Sequence, residues 1–286
     1  MYLVYAEGRA FEGRQNLRTT LDLLDPYEIC FSRALQVSQK SLKIRPATRT
    51  PKVYIERLQG NSLEAYLTIV AAGLTVEASR YAPQAISLAW ETFKKSFRFV
   101  EYSVSFFDRI GRPPQINVGD ITFQPYFEIS GDDNIVQVDR GTYDLATQVQ
   151  KRLHEIASMV SPGQVSNVEV SSTEEEEPLS INQDNKARFG ERSAEQTDSE
   201  PVELECNIYR LNKESLKGHM EVPVDNETVK KIPFNFNENQ LEDCATAWSA
   251  PSTRILAYRV FQVDALGQST IKELHLSQII ANNYTE

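Results

Sequence analysis

The chain has 286 residues, of which 41% are hydrophobic and 24% are charged, and its formal net charge at pH 7 is −10. This length allows one or two domains with a sizeable core, and no apolar run approaches the roughly 18 residues that cross a bilayer. The cysteines Cys30, Cys206 and Cys244 are too widely separated to indicate a disulfide framework or a zinc site. We expect a cytoplasmic protein without a signal peptide, because the N-terminal stretch has no basic leader.

The acidic charge is concentrated in one short segment. Residues 1–162 carry 19 Lys and Arg against 18 Asp and Glu, residues 163–202 carry 3 against 10, and residues 203–286 carry 8 against 12. No part has the excess of basic residues that binding to a phosphate backbone normally requires.

The first part of the chain, residues 1–162, has the pattern of an α+β domain. Alternating apolar residues predict strands in MYLVYA and in LRTTLDLLD, residues 17–25. A helix is predicted to begin with Asp25 as N-cap and Pro26 at the first helical position, and to end before Pro46. Two further strand-like runs, KVYIERLQ and LEAYLTIVA, are joined by Gly-Asn-Ser, which is typical of a tight hairpin.

The longest helical pattern is APQAISLAWETFKKSFRFVEYSVSFF, residues 82–107. Its apolar residues recur at spacings of three and four, which predicts one amphipathic stripe. Four more apolar residues lie off that stripe: Leu88, Phe99, Tyr102 and Phe106. Either the domain itself buries them or they form a homo-oligomer interface, and we take them as candidate interface residues because large apolar patches seldom stay exposed.

Two more strands are predicted in INVGDITFQPYFEIS and NIVQVD, joined by Gly-Asp-Asp-Asn at 131–134. Gly, Asp and Asn tolerate left-handed backbone angles, which favours a hairpin turn. The alternative is a calcium loop, but Ile135 begins an apolar run where such a loop would need further oxygen ligands. Asp139 is predicted to help start the next helix, 142–160, which ends at a Ser-Pro-Gly stop signal.

Residues 163–201 are rich in Ser, Glu, Gln, Asn and Pro and contain little that a core could bury. The entropy cost of ordering such a segment predicts a flexible acidic linker. We interpret its acidic run, Glu174–Glu177, as a solvated part of that linker, with an acidic docking segment as the alternative.

The last part, residues 202–286, shows the pattern of three strands, a helix and two strands. The helix is predicted to begin with Asn237 as N-cap and Gln240 in the capping-box position, and the last two strands form a hairpin folded at Asp-Ala-Leu-Gly. This order in about eighty residues is typical of an oligonucleotide-binding (OB) fold or a related small β-barrel. The predicted fold class is therefore α+β, with a long amphipathic helix in the first domain and a small barrel in the second.

Recognisable catalytic motifs are absent from the sequence. It contains no Gly-x-Ser-x-Gly elbow and neither the Walker nor the dinucleotide pattern, and its three histidines lack catalytic partners. A metal-dependent nuclease built on Asp120 and Glu128 is one alternative, but Ile129 and Ser130 stand where that site needs a lysine. We predict no catalytic residues, no cofactor and no metal site.

Nucleic-acid binding is a further alternative, because OB-type grooves hold single strands with stacked aromatics and a line of cations. The candidate contacts are Lys217, Lys230, Lys231 and Arg259. The aromatic residues available are Tyr209, Phe234, Phe236, Tyr258 and Phe261. Against this interpretation, the charge of residues 203–286 is negative, aromatics on strands usually fill a barrel, and fold alone is only an analogy.

Three segments of the first 160 residues resemble a bacterial protein family of unassigned activity, in which an α+β domain precedes a small β-rich domain. They are LDLLDPYEICFSRALQVSQKSL, VYIERLQGNSLEAYLTIVA and SGDDNIVQVDRGTYDLA, and the segment ILAYRVFQVDALGQSTIKELHL is similar to the second domain of that family. The resemblance implies an accessory gene of bacteria or mobile elements, and therefore a setting in anti-phage defence or its regulation. It carries no catalytic residues with it.

Together these patterns predict a non-enzymatic binding or assembly subunit of a bacterial defence or regulatory system. It would oligomerise with copies of itself through the first domain and engage a partner or ligand through the barrel, and the expected partners are itself and another protein. A single-stranded nucleic-acid-binding protein and a metal-dependent nuclease are the alternatives.

Overall fold

The computed structural model describes residues 2–7, 17–43, 52–58, 63–70, 82–120, 122, 124–131, 134–172, 177–223, 229–248, 250 and 252–280. The chain divides into two compact units. One comprises residues 1–192 with 265–267, and the other comprises residues 193–264 with 268–286. The predicted domain ends at 162 and 202 therefore both lie inside folded units.

The described elements of the first unit are three helices and eight strands. In chain order they are β1 (Tyr2–Glu7), α1 (Leu17–Ser41), β2 (Lys52–Leu58), β3 (Leu63–Val70), α2 (Ala82–Ile110), β4 (Gln115–Gly119), β5 (Phe127–Ser130), β6 (Ile135–Asp139), α3 (Arg140–Met159), β7 (Asn167–Ser172) and β8 (Leu179–Asn182). A short 3-10 helix, Lys186–Phe189, follows β8. None of the helices in the described part of the chain is both long and apolar enough to span a membrane.

Five strands of this unit form one antiparallel sheet in the order β2–β3–β1–β7–β8. The predicted pairing of the runs at 52–59 and 63–71 is confirmed, while the Gly-Asn-Ser turn between them lies outside the described residues. Val4 of the central strand is opposite Val170 of β7, and both side chains are fully buried. Alternation along β1 and β7 thus gives this part of the sheet one apolar face.

Helix α1 begins at Leu17, so the predicted strand at 17–25 and the predicted N-cap at Asp25 are both wrong. Leu23, Tyr27 and Phe31 follow one another at a spacing of four and are all buried, so the helical period continues through Pro26. The missing N–H of proline costs one helical hydrogen bond, and the burial of this face offsets that cost.

The described part of segment 163–201 is folded, which corrects the prediction of a flexible linker there. Strand β7 pairs with β1, β8 pairs with β7, and a later strand, Ser193–Thr197, pairs in the second unit. The segment has few apolar residues, but their spacing lets them complete existing sheets and cores. Those buried residues are Val165, Val168, Val170, Leu179, Ile181 and Phe189. Residues 173–176, which hold most of the acidic run, lie outside the described residues.

The candidate interface residues of α2 are covered by the chain itself, so the structure removes the basis for that prediction. Phe99 is 0% and Phe106 2% exposed, Leu88 is also buried, and Tyr102 is half-buried. The ring of Phe127, in a small sheet of order β4–β6–β5, lies 5.6 Å from the Phe99 ring and 5.9 Å from the Tyr102 ring. Helix α2 is apolar on several faces because neighbouring elements pack on several faces.

The second unit is built around a closed five-stranded β-barrel. Its elements are β9 (Ser193–Thr197), β10 (Val202–Asn212), β11 (Lys217–Pro223), β12 (Val229–Asn235), α4 (Leu241–Trp248), β13 (Thr253–Asp264) and β14 (Ser269–Ile280). The barrel strands follow the order β10–β11–β12–β14–β13, and β13 pairs back with β10. Among the pairings of the strands described in this unit, only β12–β14 is parallel, and β9 adds to β13 outside the closed ring.

The predicted order of three strands, a helix and two strands is thereby confirmed, as is the small barrel. The side chain of Gln240 accepts a hydrogen bond from the Asn237 N–H at 2.8 Å, as the predicted capping box requires. The interior is filled by apolar side chains from every barrel strand and from α4, including Met220, Phe234 and Leu274 at 0% exposure.

Candidate nucleic-acid interface

Tyr209 and Arg210 are consecutive residues of β10 that both face away from the barrel interior. The pairing of β10 with β11 shifts register between Ile208 and Arg210, so Tyr209 is the extra residue. Ile208 fills the core at 1% exposure, whereas Tyr209 is 38% exposed and Arg210 is exposed as well. A regular strand would have sent one of these two side chains inward. The bulge therefore places an aromatic ring and a guanidinium next to each other on the surface.

Two side chains from the adjacent strands complete a cluster around Tyr209. The His219 ring on β11 lies 6.1 Å from the Tyr209 ring, and Lys231 Nζ on β12 lies over one face of the Tyr209 ring, 5.4 Å from its centroid. Gly218 and Met220 point into the barrel, as Ile232 does on β12, so alternation directs His219 and Lys231 outward. An exposed aromatic ring beside a cation and an imidazole is a suitable platform for stacking a base.

The same surface extends over β11, β12 and β14. Cα register places Lys217 of β11 opposite Asn235 of β12, and Asn235 opposite His275 of β14. We call this surface the Tyr209 face. It is defined by Tyr209, Arg210, Lys217, His219, Glu221, Lys231, Asn235, Glu273 and His275.

Two carboxylates lie among the cations of the Tyr209 face. Glu221 pairs with Lys231 at 3.7 Å, in an exposed geometry that contributes little stability. His275 Nε2 donates to Glu273 Oε1 at 3.0 Å, and the Asn235 side chain donates to the same carboxylate. These hydrogen bonds, that of His275 first, and the nearby Lys217 ammonium hold the pKa of Glu273 below its usual range. The carboxylate is therefore ionised and acts only as an acceptor.

The structure brings together some of the predicted contacts and separates others. Lys217 and Lys231 both lie on the Tyr209 face. Lys230 is exposed at the end of β12 opposite Val222, on the other side of the strand from Lys231. Arg259 lies on β13, where its Nε donates to Asp198 at 2.7 Å and its guanidinium stacks 5.0 Å from the Phe261 ring. Arg259 is thus engaged in holding β9 to the barrel.

The expectation that strand aromatics fill the barrel holds for two of the five candidates. Phe234 is fully buried and Phe236 is 5% exposed, while Tyr258 and Phe261 are half-buried on β13. Tyr209 is the most exposed of the five. The sequence pattern grouped Tyr209 with the other aromatic residues and did not identify it as the most exposed one. It named neither His219 nor His275 as a contact. Alternation in β10 assigns Tyr209 to the outer surface, whereas the outward position of Arg210 depends on the bulge and leaves no signal in a period-two pattern.

Asp120 and Glu128 do not assemble into a metal site. Strand β6 lies between the strands that carry them: Gly119 pairs with Asp139, and Glu128 pairs with Gln137. The two acids are therefore separated by two inter-strand spacings, about 10 Å, and by an offset along the strands as well. Within the described ranges, no group of three His, Cys, Asp or Glu side chains is placed to hold a metal ion.

The turn at 131–134 and the adjoining Asp139 have structural roles. Strand β5 pairs with β6 as an antiparallel hairpin, Gly131 has a φ of +61°, and the Asn134 N–H donates to the Gly131 carbonyl. The hairpin prediction is confirmed, although 132 and 133 themselves lie outside the described residues. Asp139 is the N-cap of α3, as predicted, and accepts from the Thr142 N–H at 3.1 Å.

No protein-family model, curated protein or solved structure matches the chain. The family resemblance of the first 160 residues therefore remains a prediction. The Tyr209 face is interpreted from its own geometry.

Proposed function

We propose that the barrel binds a single-stranded nucleic acid across the Tyr209 face. The observation that carries this proposal is the cluster on the outer surface of the barrel, where Tyr209, 38% exposed, lies with Lys231 and His219, and where the bulge adds Arg210. A base stacks on the ring, and the strand's phosphates lie along Lys231, Arg210 and Lys217. Stacking of this kind tolerates any base, because every base has a π-face.

The strand order supports an OB-like fold. In an OB-fold the five strands form a Greek-key barrel, and the face of its second and third strands binds oligonucleotides. The second and third barrel strands here are β11 and β12, which carry His219 and Lys231. Fold likeness alone is an analogy, so the weight of the proposal rests on the residues of the face.

The distribution of charge also favours this face over the rest of the barrel. Residues 203–286 carry a net negative charge, but most of their basic residues fall within 207–235. These basic residues are Arg210, Lys213, Lys217, Lys230 and Lys231, and the acidic residues of the same range are Glu214, Glu221, Asp225 and Glu227. Few cations mean modest affinity and a shallow salt dependence, with a slope of about −2 in log K against log salt for three phosphate contacts.

Fluorescence anisotropy of the full chain with a labelled single strand, and with the same sequence as a duplex, tests this proposal. The single strand should bind more tightly, because a duplex hides its base faces. Tyr209→Ala should weaken single-strand binding about tenfold, since base–aromatic stacking contributes about 1–3 kcal/mol. Tyr209→Phe should retain most of the affinity, because it keeps the ring.

Trp248→Ala is the matched control, because Trp248 is an aromatic residue 51% exposed on α4 and not part of the Tyr209 face. It should leave affinity unchanged. Equal effects of Tyr209→Ala and Trp248→Ala, or no binding by the wild-type chain, would refute the proposal. The defence or regulatory setting implied by the family resemblance stays a prediction that this binding activity would fit.

A further inference from the structure

The Glu273 carboxylate stands at the end of the Tyr209 face furthest from Tyr209. Register places Glu273 of β14 next to Pro233 of β12, since the following residues, Leu274 and Phe234, are partners. A nucleic-acid strand that crosses the face from Tyr209 to Glu273 passes three inter-strand spacings, about 14 Å. Of the three proposed phosphate-binding cations, Arg210 and Lys231 belong to the Tyr209 side, and Lys217 lies near Glu273.

The ionised carboxylate of Glu273 lies on the surface that is proposed to bind phosphates, so only some ligand groups can contact it favourably. It repels phosphate, so the ligand group that meets it must donate a hydrogen bond. A carboxylate has about four acceptor sites, and His275 and Asn235 occupy two of those on Glu273. The side chain is 28% exposed, so the remaining sites are open to a ligand.

From this arrangement we infer that Glu273 reads the edge of a base by accepting from its exocyclic amino group, which gives the face a preference for cytosine over thymine. Carboxylates accept from the N4 amino group of cytosine, whereas thymine presents the O4 acceptor at the equivalent position. Facing O4, the Glu273 carboxylate would be left unpaired and repelled. His275 and Asn235 hold the carboxylate in place, so its acceptor sites are preorganised. This inference rests on the proposed function and names the base that the same face selects.

The two pyrimidines are the appropriate comparison. The bases of oligo(dC) and oligo(dT) have rings of similar size, so they should stack on Tyr209 about equally well. The main remaining difference is that cytosine has an amino group where thymine has the O4 oxygen. Deoxy-oligonucleotides also lack the 2′-hydroxyl, which removes the other donor that a strand can offer to a carboxylate.

The experiment measures the affinity of the full chain at pH 7.5 for labelled oligo(dC) and oligo(dT) of about 15 nucleotides, a length at the upper end of single-barrel site sizes. Wild type should bind oligo(dC) about tenfold more tightly. In Glu273→Gln this ratio should fall close to one, because the amide accepts from N4 or donates to O4. Overall affinity should not fall, since one repelling charge is gone.

Glu221→Gln is the control variant, because it removes an equal charge from the same face at the residue paired with Lys231. It should raise affinity for both oligonucleotides and leave the ratio unchanged. Absence of binding to either oligonucleotide would refute the proposed function and this inference together. Equal binding of both by wild type, or a ratio that survives Glu273→Gln, would overturn the inference and leave the proposed function intact.

Discussion

Gly218 faces the barrel interior from β11, with Phe234 opposite it on β12. A Cβ at this position would lie 2.3 Å from Phe234 Cε1 and 2.7 Å from the carbonyl oxygen of Arg210. Phe234 is fully buried and the carbonyl belongs to β10, so neither group has free space to move into. The interior of the barrel therefore accommodates this phenyl ring because position 218 has no side chain.

Gly218→Ala should destabilise the barrel by about 1–3 kcal/mol, the usual cost of overpacking a core. Urea unfolding of the full chain followed by circular dichroism measures the change. The matched test introduces the same substitution into Phe234→Leu, where the smaller side chain leaves room. The alanine should cost less in that background, and an equal cost in both would show that the ring is not the obstacle.

The residues of the Tyr209 face differ in whether their outward position can be predicted from the sequence. Lys217 and Lys231 were identifiable because alternation in β11 and β12 assigns them to the outer surface. The outward position of Arg210 was not, because it depends on the bulge between Ile208 and Arg210. A bulge is set by pairing between two strands, so a one-strand pattern does not record it.

Among the elements, α2 carries apolar residues on several faces, and these would form an exposed apolar surface if no other element covered them. Phe99 is fully buried, with the rings of Phe127 and Tyr143 at 5.6 Å and 6.2 Å. The spacing of apolar positions along one helix leaves open which element covers each face. The β4–β6–β5 sheet and α3 supply those covers, and their positions depend on contacts distant in sequence.

Phe99→Ala should lower the free energy of unfolding by about 3–5 kcal/mol, as expected for a buried phenylalanine. Arg98→Ala, at the exposed neighbouring position, should change it by less than about 0.5 kcal/mol. Chemical denaturation of both variants provides the measurement. An interface residue would behave differently: its loss would change the sedimentation coefficient and leave the unfolding midpoint of the monomer nearly unchanged.

An ion pair between Asp198 and Arg259 attaches the end of strand β9 to the barrel, and its contribution to stability depends on pH. Asp198 accepts from Arg259 Nε at 2.7 Å and from the Arg259 backbone N–H at 3.2 Å. The side-chain hydrogen bond from Arg259 is the main cause that holds the pKa of Asp198 below its usual range. A depressed carboxyl pKa contributes stability that is present above the unfolded value, about 3.9, and is lost as pH falls through the folded value.

Wild type should therefore lose thermal stability more steeply than Asp198→Asn as pH falls below about 4. Melting temperatures from pH 7 down to pH 2.5 measure the difference, which should amount to a few degrees. Glu203→Gln is the control, because the Glu203–Arg254 pair is about half exposed on both sides and contributes little. Parallel curves for wild type and Asp198→Asn would contradict the role given to this pair.

The two errors at the element scale have related physical causes. In residues 17–25 the leucines fit both a strand and a helix, and burial of Leu23 and Tyr27 selects the helix despite Pro26. In β7 and β8 only two side chains per strand are buried. Their backbone hydrogen bonds go to partners far away in sequence, so local composition resembles that of a linker.

At the scale of the whole molecule, the order of elements in the barrel was predictable and the division of the chain was not. Helices α2 and α3 and the barrel strands have strong periodic patterns, so each was recognisable alone. The boundary depends on where residues 163–201 pair, and they supply strands to both units. The first unit therefore continues to residue 192.

A fragment of residues 1–192 should consequently be more stable and more soluble than one of residues 1–162. The shorter fragment lacks β7, which pairs with β1 over six residues from Tyr2–Ser172 to Glu7–Asn167. It leaves a β1 edge without its partner, and unpaired edges associate. Sedimentation velocity and thermal unfolding of both fragments measure the two effects.

Both fragments lack 265–267, so the difference between them comes from residues 163–192. Should the shorter fragment remain monomeric and melt at the same temperature, the β1–β7 pairing would not be what completes this unit.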